Sequence, residues 1–193
     1  MPLALRLQTA PTEEPISIVE AKAQCKVEHS DEDALFTTWI RAARQKLEDE
    51  FGRAFVTQTW DWQLDEFPHC GELVVPRPPL VSVSSITYVD SAGASQVLAS
   101  SRYSVDTLSE PGCINLAYGE NWPTTRPVRA AVTVRFVAGH GAATAVPDAI
   151  KHALLLLVED SNAQRGQVVV GAGVNVMKTV EALMAPYKTW NRW

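Results

Sequence analysis

The sequence predicts an α+β protein in which a helical bundle, with two helices before and two after, carries an inserted antiparallel β region. Three observations predict it. Between Ser30 and Gly52, Leu35, Phe36, Trp39, Ile40, Ala43, Leu47 and Phe51 recur at three- and four-residue spacings, which is one apolar stripe on an α-helix. In VTQTWDWQL, directly after it, Val56, Trp60, Trp62 and Leu64 fall on one side of a strand and Thr57, Thr59, Asp61 and Gln63 on the other. From Pro147 the helical period returns in Ile150, Ala153, Leu154, Leu157 and Val158. The expected boundaries are 1–54 and 139–193 for the helical part and 55–138 for the β insertion.

Taken in order, Leu3, Leu5 and Leu7 alternate before Pro11 and Pro15, which reads as a short strand or arm running into a turn. Ser17 and Glu20 then stand at capping-box spacing and open a short helix through Val27, with Ile18, Val19, Ala21, Ala23 and Cys25 as packing candidates. Ser30 and Asp33 repeat that spacing at the head of the long helix, and Gly52 closes it. The loop at His29 is short, so the two helices are expected to lie against each other.

Past Gly52, β-prone runs occur at Leu73–Val75, Val81–Val89, Gln96–Leu98, Tyr103–Val105, Ile114–Leu116 and Val132–Phe136. Pro76, Pro78 and Pro79 cannot donate to a ladder and mark an edge or corner, and Asp90 to Gly93 reads as a hairpin turn. Pro147 suits a helix start, because the N–H it lacks would find no partner there. Leu154 to Leu157 are four leucines in a row, which implies burial on more than one side. Residues 166–173 form a glycine-punctuated apolar loop, and Asn175 is placed to cap a last helix with Val176, Val180, Leu183 and Met184.

A chain of 193 residues can bury roughly 70% of its unfolded surface without staples. Cys25, Cys70 and Cys113 are odd in number and widely spaced, which argues against a disulfide framework and for a reducing compartment. No run of 18 apolar residues is present and the amino end lacks a signal-peptide core, so a soluble protein without membrane association is expected. The net charge of −5 is uneven, with 13 acidic against 7 basic residues up to Glu66 and 9 against 10 thereafter. No basic face is visible, which disfavours tight nucleic-acid binding.

Chemistry is sparse. His29, His69, His140 and His152 have no partner at metal-ligand spacing; His69 beside Cys70 comes nearest, and adjacent strand residues point to opposite faces. Gly139-His140-Gly141 reads as a turn, and Glu48, Asp49 and Glu50 as a solvated charge run. Phosphate-cradling and nucleophile-elbow motifs are absent. No catalytic, cofactor or metal site is expected. Trp60, Trp62 and Trp122 are either core residues of a small sheet or, with Asp61 or Glu120, a carbohydrate platform. The carboxyl end holds Tyr187, Lys188, Trp190, Arg192 and Trp193, an aromatic and basic group of the kind that anchors interfaces. It either packs on its own domain or docks on a partner.

The order PISIVEAKAQCKV, DEDALFTTWIRAARQKLEDEFGRAFVTQTW, VPRPPLVSVSSITYVDSAG, YGENWPTTRP, VTVRFVAGHG, AVPDAIKHALLLLVEDS and EALMAPYKTW resembles the head-to-tail connector (adaptor) proteins of tailed bacteriophages and prophages. These segments cover nearly the whole chain. The resemblance implies a non-enzymatic virion protein, made in the bacterial host cytoplasm, that forms a ring, typically of twelve copies, beneath the portal protein. DNA would pass through the lumen without specific contacts, and a head-completion or tail protein would dock below. It further implies ring contacts through the helices at 30–52 and 147–163, and a portal-reaching segment from Ala185 to Trp193. VEDSNAQRGQVVVGAGVN departs from the more aromatic helix end of many relatives. A tail-completion or minor tail protein is the alternative within the virion, and a carbohydrate-binding or hydrolytic module the alternative outside it.

Overall fold

The structure is a computed structural model that describes residues 4–68, 71–164 and 172–188. Its fold is α+β, and its described residues fall into two compact units. The helical unit comprises Thr12–Val56 and the described residues from Gly141 onward; the β unit comprises those up to Pro11 and Thr57–His140.

In the helical unit, α1 (Ile18–Cys25) opens on the expected capping box. The Ser17 hydroxyl accepts from the Glu20 N–H at 3.1 Å, and the Glu20 carboxylate accepts from the Ser17 N–H at 2.7 Å. The Ser17 N–H and, at 2.7 Å, the Ser17 hydroxyl donate to the Glu20 carboxylate and hold it below its ordinary pKa. Of the packing candidates only Ala21 is buried; Val19 is 77% exposed. Helix α2 (Asp33–Phe51) begins three residues after Ser30, which makes no side-chain cap; the Ser30 carbonyl instead accepts from the Asp33 N–H. Gly52 ends α2 at φ 63°, in the left-handed conformation that glycine adopts without strain. The α2 stripe buries Phe36, Ile40, Ala43, Leu47 and Phe51, while Leu35 at the first turn is exposed.

Helix α3 (Asp148–Ala163) follows Pro147 and buries all five residues of its stripe. Leu155 and Leu156, on its flanks, are half-buried against the same core, so the four-leucine run is covered on more than one side. Helix α4 (Ala172–Met184) starts before Asn175, which therefore lies within it and is not its cap. Most of the 166–173 loop lies outside the described residues. The four helices share one core, centred on Phe36, Ile40, Leu47, Ile150, Leu154 and Met184.

Among its described residues the β unit holds eight strands. Strands β1 (Ala4–Thr9), β2 (Gln58–Leu64), β4 (Leu80–Val89), β5 (Ser95–Val97) and β8 (Val132–Ala138) form a five-stranded sheet in the order β1-β2-β8-β4-β5. Strands β3 (Leu73–Val74), β6 (Tyr103–Asp106) and β7 (Cys113–Leu116) form a second sheet in the order β3-β7-β6. Every pair is antiparallel. Strand β1 precedes all the helices in sequence yet belongs to this unit, because Leu5 pairs with Trp62 and Leu7 with Trp60 on β2. Strand β8 is central: Trp60, Phe136 and Val83 stand side by side across β2, β8 and β4. Its inward residues Val132, Val134, Phe136 and Ala138 are all fully buried.

The turn before β7 approaches β4 closely. A Cβ on Gly112 would lie 2.7 Å from the Leu80 side chain and 2.9 Å from the Asp106 carbonyl, distances that packed atoms do not tolerate. Gly112→Ala is therefore expected to destabilise the protein by about 1–3 kcal/mol, read as a drop in the midpoint of denaturant unfolding.

Candidate functional site

Of the five expected docking residues, two lie among the described residues. Tyr187 ends a single 3-10 turn, Ala185–Tyr187, placed by Pro186 directly after α4. It is half-buried and packs on the core of its own helical unit. Arg53, just past the α2 glycine, holds it in two ways. One guanidinium nitrogen donates to the Tyr187 carbonyl at 3.2 Å, and the guanidinium carbon stands 5.6 Å from the ring centroid, a cation–π distance. Lys188 is exposed. Trp190, Arg192 and Trp193 lie outside the described residues. Of the two described residues, Tyr187 is thus held on its own helical unit and Lys188 faces solvent.

Helix α2 also carries a buried polar arrangement that patterning missed. Arg44, 5% exposed, donates to the Glu14 carboxylate at 2.7 Å and to the Glu48 carboxylate at 2.6 Å. The second oxygen of Glu48 accepts from the Phe55 N–H at 2.9 Å. Burial works against the Arg44 charge, but hydrogen bonds and charges from Glu14 and Glu48 outweigh it, so its pKa is raised. Glu48 is accordingly not part of a solvated run: it is 4% exposed, whereas Asp49 and Glu50 do face solvent. The signal was available, because Arg44 and Glu48 fall four and eight residues after Ile40, inside the buried stripe.

The three tryptophans do not make one open platform. Trp62 is a core residue, 4% exposed. Trp60 is half-buried and has the Arg77 guanidinium 5.1 Å above its ring. Trp122 stacks on Phe67 with centroids 4.8 Å apart and planes 8° from parallel, beside a cleft of about 530 Å³ also lined by Glu66, Leu116 and Thr124. The carboxylates named with them are engaged. Glu120 pairs with Arg102 at 2.7 Å, and Asp61 receives Arg135 at 2.7 and 2.8 Å and Gln8 at 2.6 Å.

Asp61 sits in a cross-strand row, Arg6, Asp61, Arg135 and Ser85, on the face opposite Trp62. Hydrogen bonds from Arg135 lower its pKa most, with Gln8 and the charge of Arg6 adding, against the opposing effect of burial. Its native pKa lies below the unfolded one. Its stabilising contribution is therefore complete above the ordinary aspartate value of about 3.9 and is lost as pH falls through the native value. The stability gap between the wild type and Asp61→Asn is expected to be constant from neutral pH down to about 5 and to shrink in more acidic solution. Urea titrations at stepped pH read it.

Among the described residues no cluster of three His, Cys, Asp or Glu side chains is arranged to hold a metal, and no helix is long and apolar enough to cross a membrane. The His69–Cys70 pair lies outside the described residues.

No protein-family model and no curated protein matches this chain. Solved structures do. The chain shares its fold with a chain in the neck of an empty GTA particle computed with C6 symmetry, at TM-score 0.81 and 21% identity, covering 98% of this chain and 97% of that one. A chain in the virion of a native gene transfer agent (GTA) particle aligns over the same shares, at TM-score 0.78 and 20% identity. A third, from the neck of a native GTA particle computed with C12 symmetry, does so at TM-score 0.76 and 22% identity. Residues of both units lie within these alignments.

Proposed function

We propose that this chain is a structural subunit of the neck of a phage-like particle, a head-to-tail adaptor that forms a ring under the portal. The observation that carries the reading is the fold match over 98% of this chain and 97% of a neck chain. A neck reconstruction with C12 symmetry supports a ring of twelve copies, and cyclic rings larger than dimers need two different surfaces on each subunit. In this reading the tail from Lys188 onward reaches the portal, with Arg53 and Tyr187 fixing its root. The ring carries DNA through its lumen without gripping phosphates, and a head-completion or tail protein closes its far side. The role is mechanical; Asp61, Glu48 and Glu120, the carboxylates nearest to any catalytic suggestion, are each tied to an arginine.

Removing the gene from a particle-producing strain tests the reading. Heads filled with DNA alongside free, complete tails are the expected phenotype, reversed by supplying the chain in trans. Normal joining would refute it, and full-length heads with aberrant or missing tails would move the chain to tail completion.

A further inference from the structure

Strand β6 is an edge of the small sheet: it pairs with β7, and among the described residues no strand lies on its other side. Both ends of this edge carry a bare apolar side chain. Leu108, just past the carboxyl end of β6, is 95% exposed, and Tyr118, beyond the partner strand at the opposite end, is 107% exposed. Neither loop is slack. The Asp106 carboxylate accepts from the Leu108 N–H at 2.8 Å, the Ser109 N–H at 3.2 Å and the Ser109 hydroxyl at 2.6 Å, which fixes the Leu108 tip. Beside Tyr118, Arg102 bonds the Glu120 carboxylate at 2.7 Å and the Asn121 carbonyl at 2.9 Å, and the Arg102 carbonyl accepts from the Ala117 N–H. Two ordered loops that hold large apolar groups in water are arranged as preorganised anchors, because the entropy of ordering them is already spent.

The same unit presents a second short edge. Strand β5 ends the large sheet, and its three residues are all exposed, with Val97 at 70%. The other edge of that sheet, β1, has an irregular register between Leu7 and Thr9, a feature that blunts an edge, and its most exposed large apolar residue, Leu7, is only 40% exposed. We propose that the β6 edge, with Leu108 and Tyr118, takes the β5 edge of a second copy of this chain by strand addition, Val97 packing between the two anchors. Strands of four and three residues differ by a single residue in length, and two different patches on one subunit meeting head to tail is the contact that a cyclic ring requires. The inference rests on the ring reading and gives it a contact outside the helices.

Sedimentation velocity on the full chain tests it, with two variants, Leu108→Ser/Tyr118→Ser and Val97→Ser. All three residues are exposed, so circular dichroism spectra and unfolding midpoints should match the wild type. The wild type should self-associate with rising concentration, and each variant alone at least tenfold more weakly. Mixed one to one, the variants should form a complex of two chains and nothing larger, since each retains the edge the other lacks. A wild type that stays monomeric, variants that associate as the wild type does, or a mixture without rescue would overturn the inference. None of these outcomes decides the neck assignment, which the gene-removal phenotype tests on its own.

Discussion

Arg44→Ala should destabilise the protein by about 3–5 kcal/mol, because it removes the guanidinium that bonds the Glu48 carboxylate, only 4% exposed, and the Glu14 carboxylate. Glu14, the other carboxylate of Arg44, keeps part of its contact with water and a more distant Arg41 at 3.9 Å, so the loss concentrates at Glu48. The effect belongs to breaking the pair and not to its net worth. Arg44→Met with Glu48→Gln removes both charges while the glutamine carbonyl can still accept from the Phe55 N–H. That double variant should recover more than half of the loss, as replaced buried ion pairs commonly do. A double-mutant cycle from urea unfolding separates the two, and additive effects of the single variants would contradict the direct contact.

Phe136→Ala should cost about 3–5 kcal/mol, the range for removing a fully buried aromatic side chain. Phe136 stands on the central strand with Trp60 and Val83 on either side, so the surrounding strands are held in register and cannot collapse into the cavity. A loss below about 1 kcal/mol would mean that the β unit repacks freely. The comparison is Leu108→Ser, which sits in the same unit at 95% exposure and should stay within about 0.5 kcal/mol of the wild type. Both are read as shifts in the midpoint of denaturant unfolding at unchanged slope.

The helices were largely legible because their signals are local. The stripe of α3, the Ser17–Glu20 box and the Gly52 stop each sit within a few turns of chain, and each appears in the structure. Ser30 misled because a serine and an acidic residue at the right spacing also occur in a turn, where the Ser30 carbonyl, and not its hydroxyl, meets the Asp33 N–H. Strand positions were legible as runs, but their order was not. Placing β8 between β2 and β4 depends on pairings between residues far apart in the chain, such as Trp60 and Val83 with Phe136, and periodicity carries no such information. Asp61 shows the same gap: alternation puts it on the outer face, yet it is 6% exposed because Gln8 from β1 and Arg135 from β8 close over it.

The carboxyl end was legible as composition and only partly as placement. Its aromatic and basic composition is plain in Tyr187, Lys188, Trp190, Arg192 and Trp193. That Tyr187 is an internal anchor follows from Arg53, 134 positions away and recognisable only once folded. Arg44 and Glu48 were signalled by their four-residue spacing inside the α2 stripe, whereas Arg53 was not: charged residues are mostly exposed, and its contact with Tyr187 lies far along the chain.

Quantitative mass spectrometry on purified particles, with DNA-filled heads and tails separated, tests the neck assignment most directly. This chain is expected in the head fraction at about twelve copies per filled head, in keeping with the C12 symmetry of a neck that holds a chain of the same fold. Recovery only with tails, or in neither fraction, would contradict it.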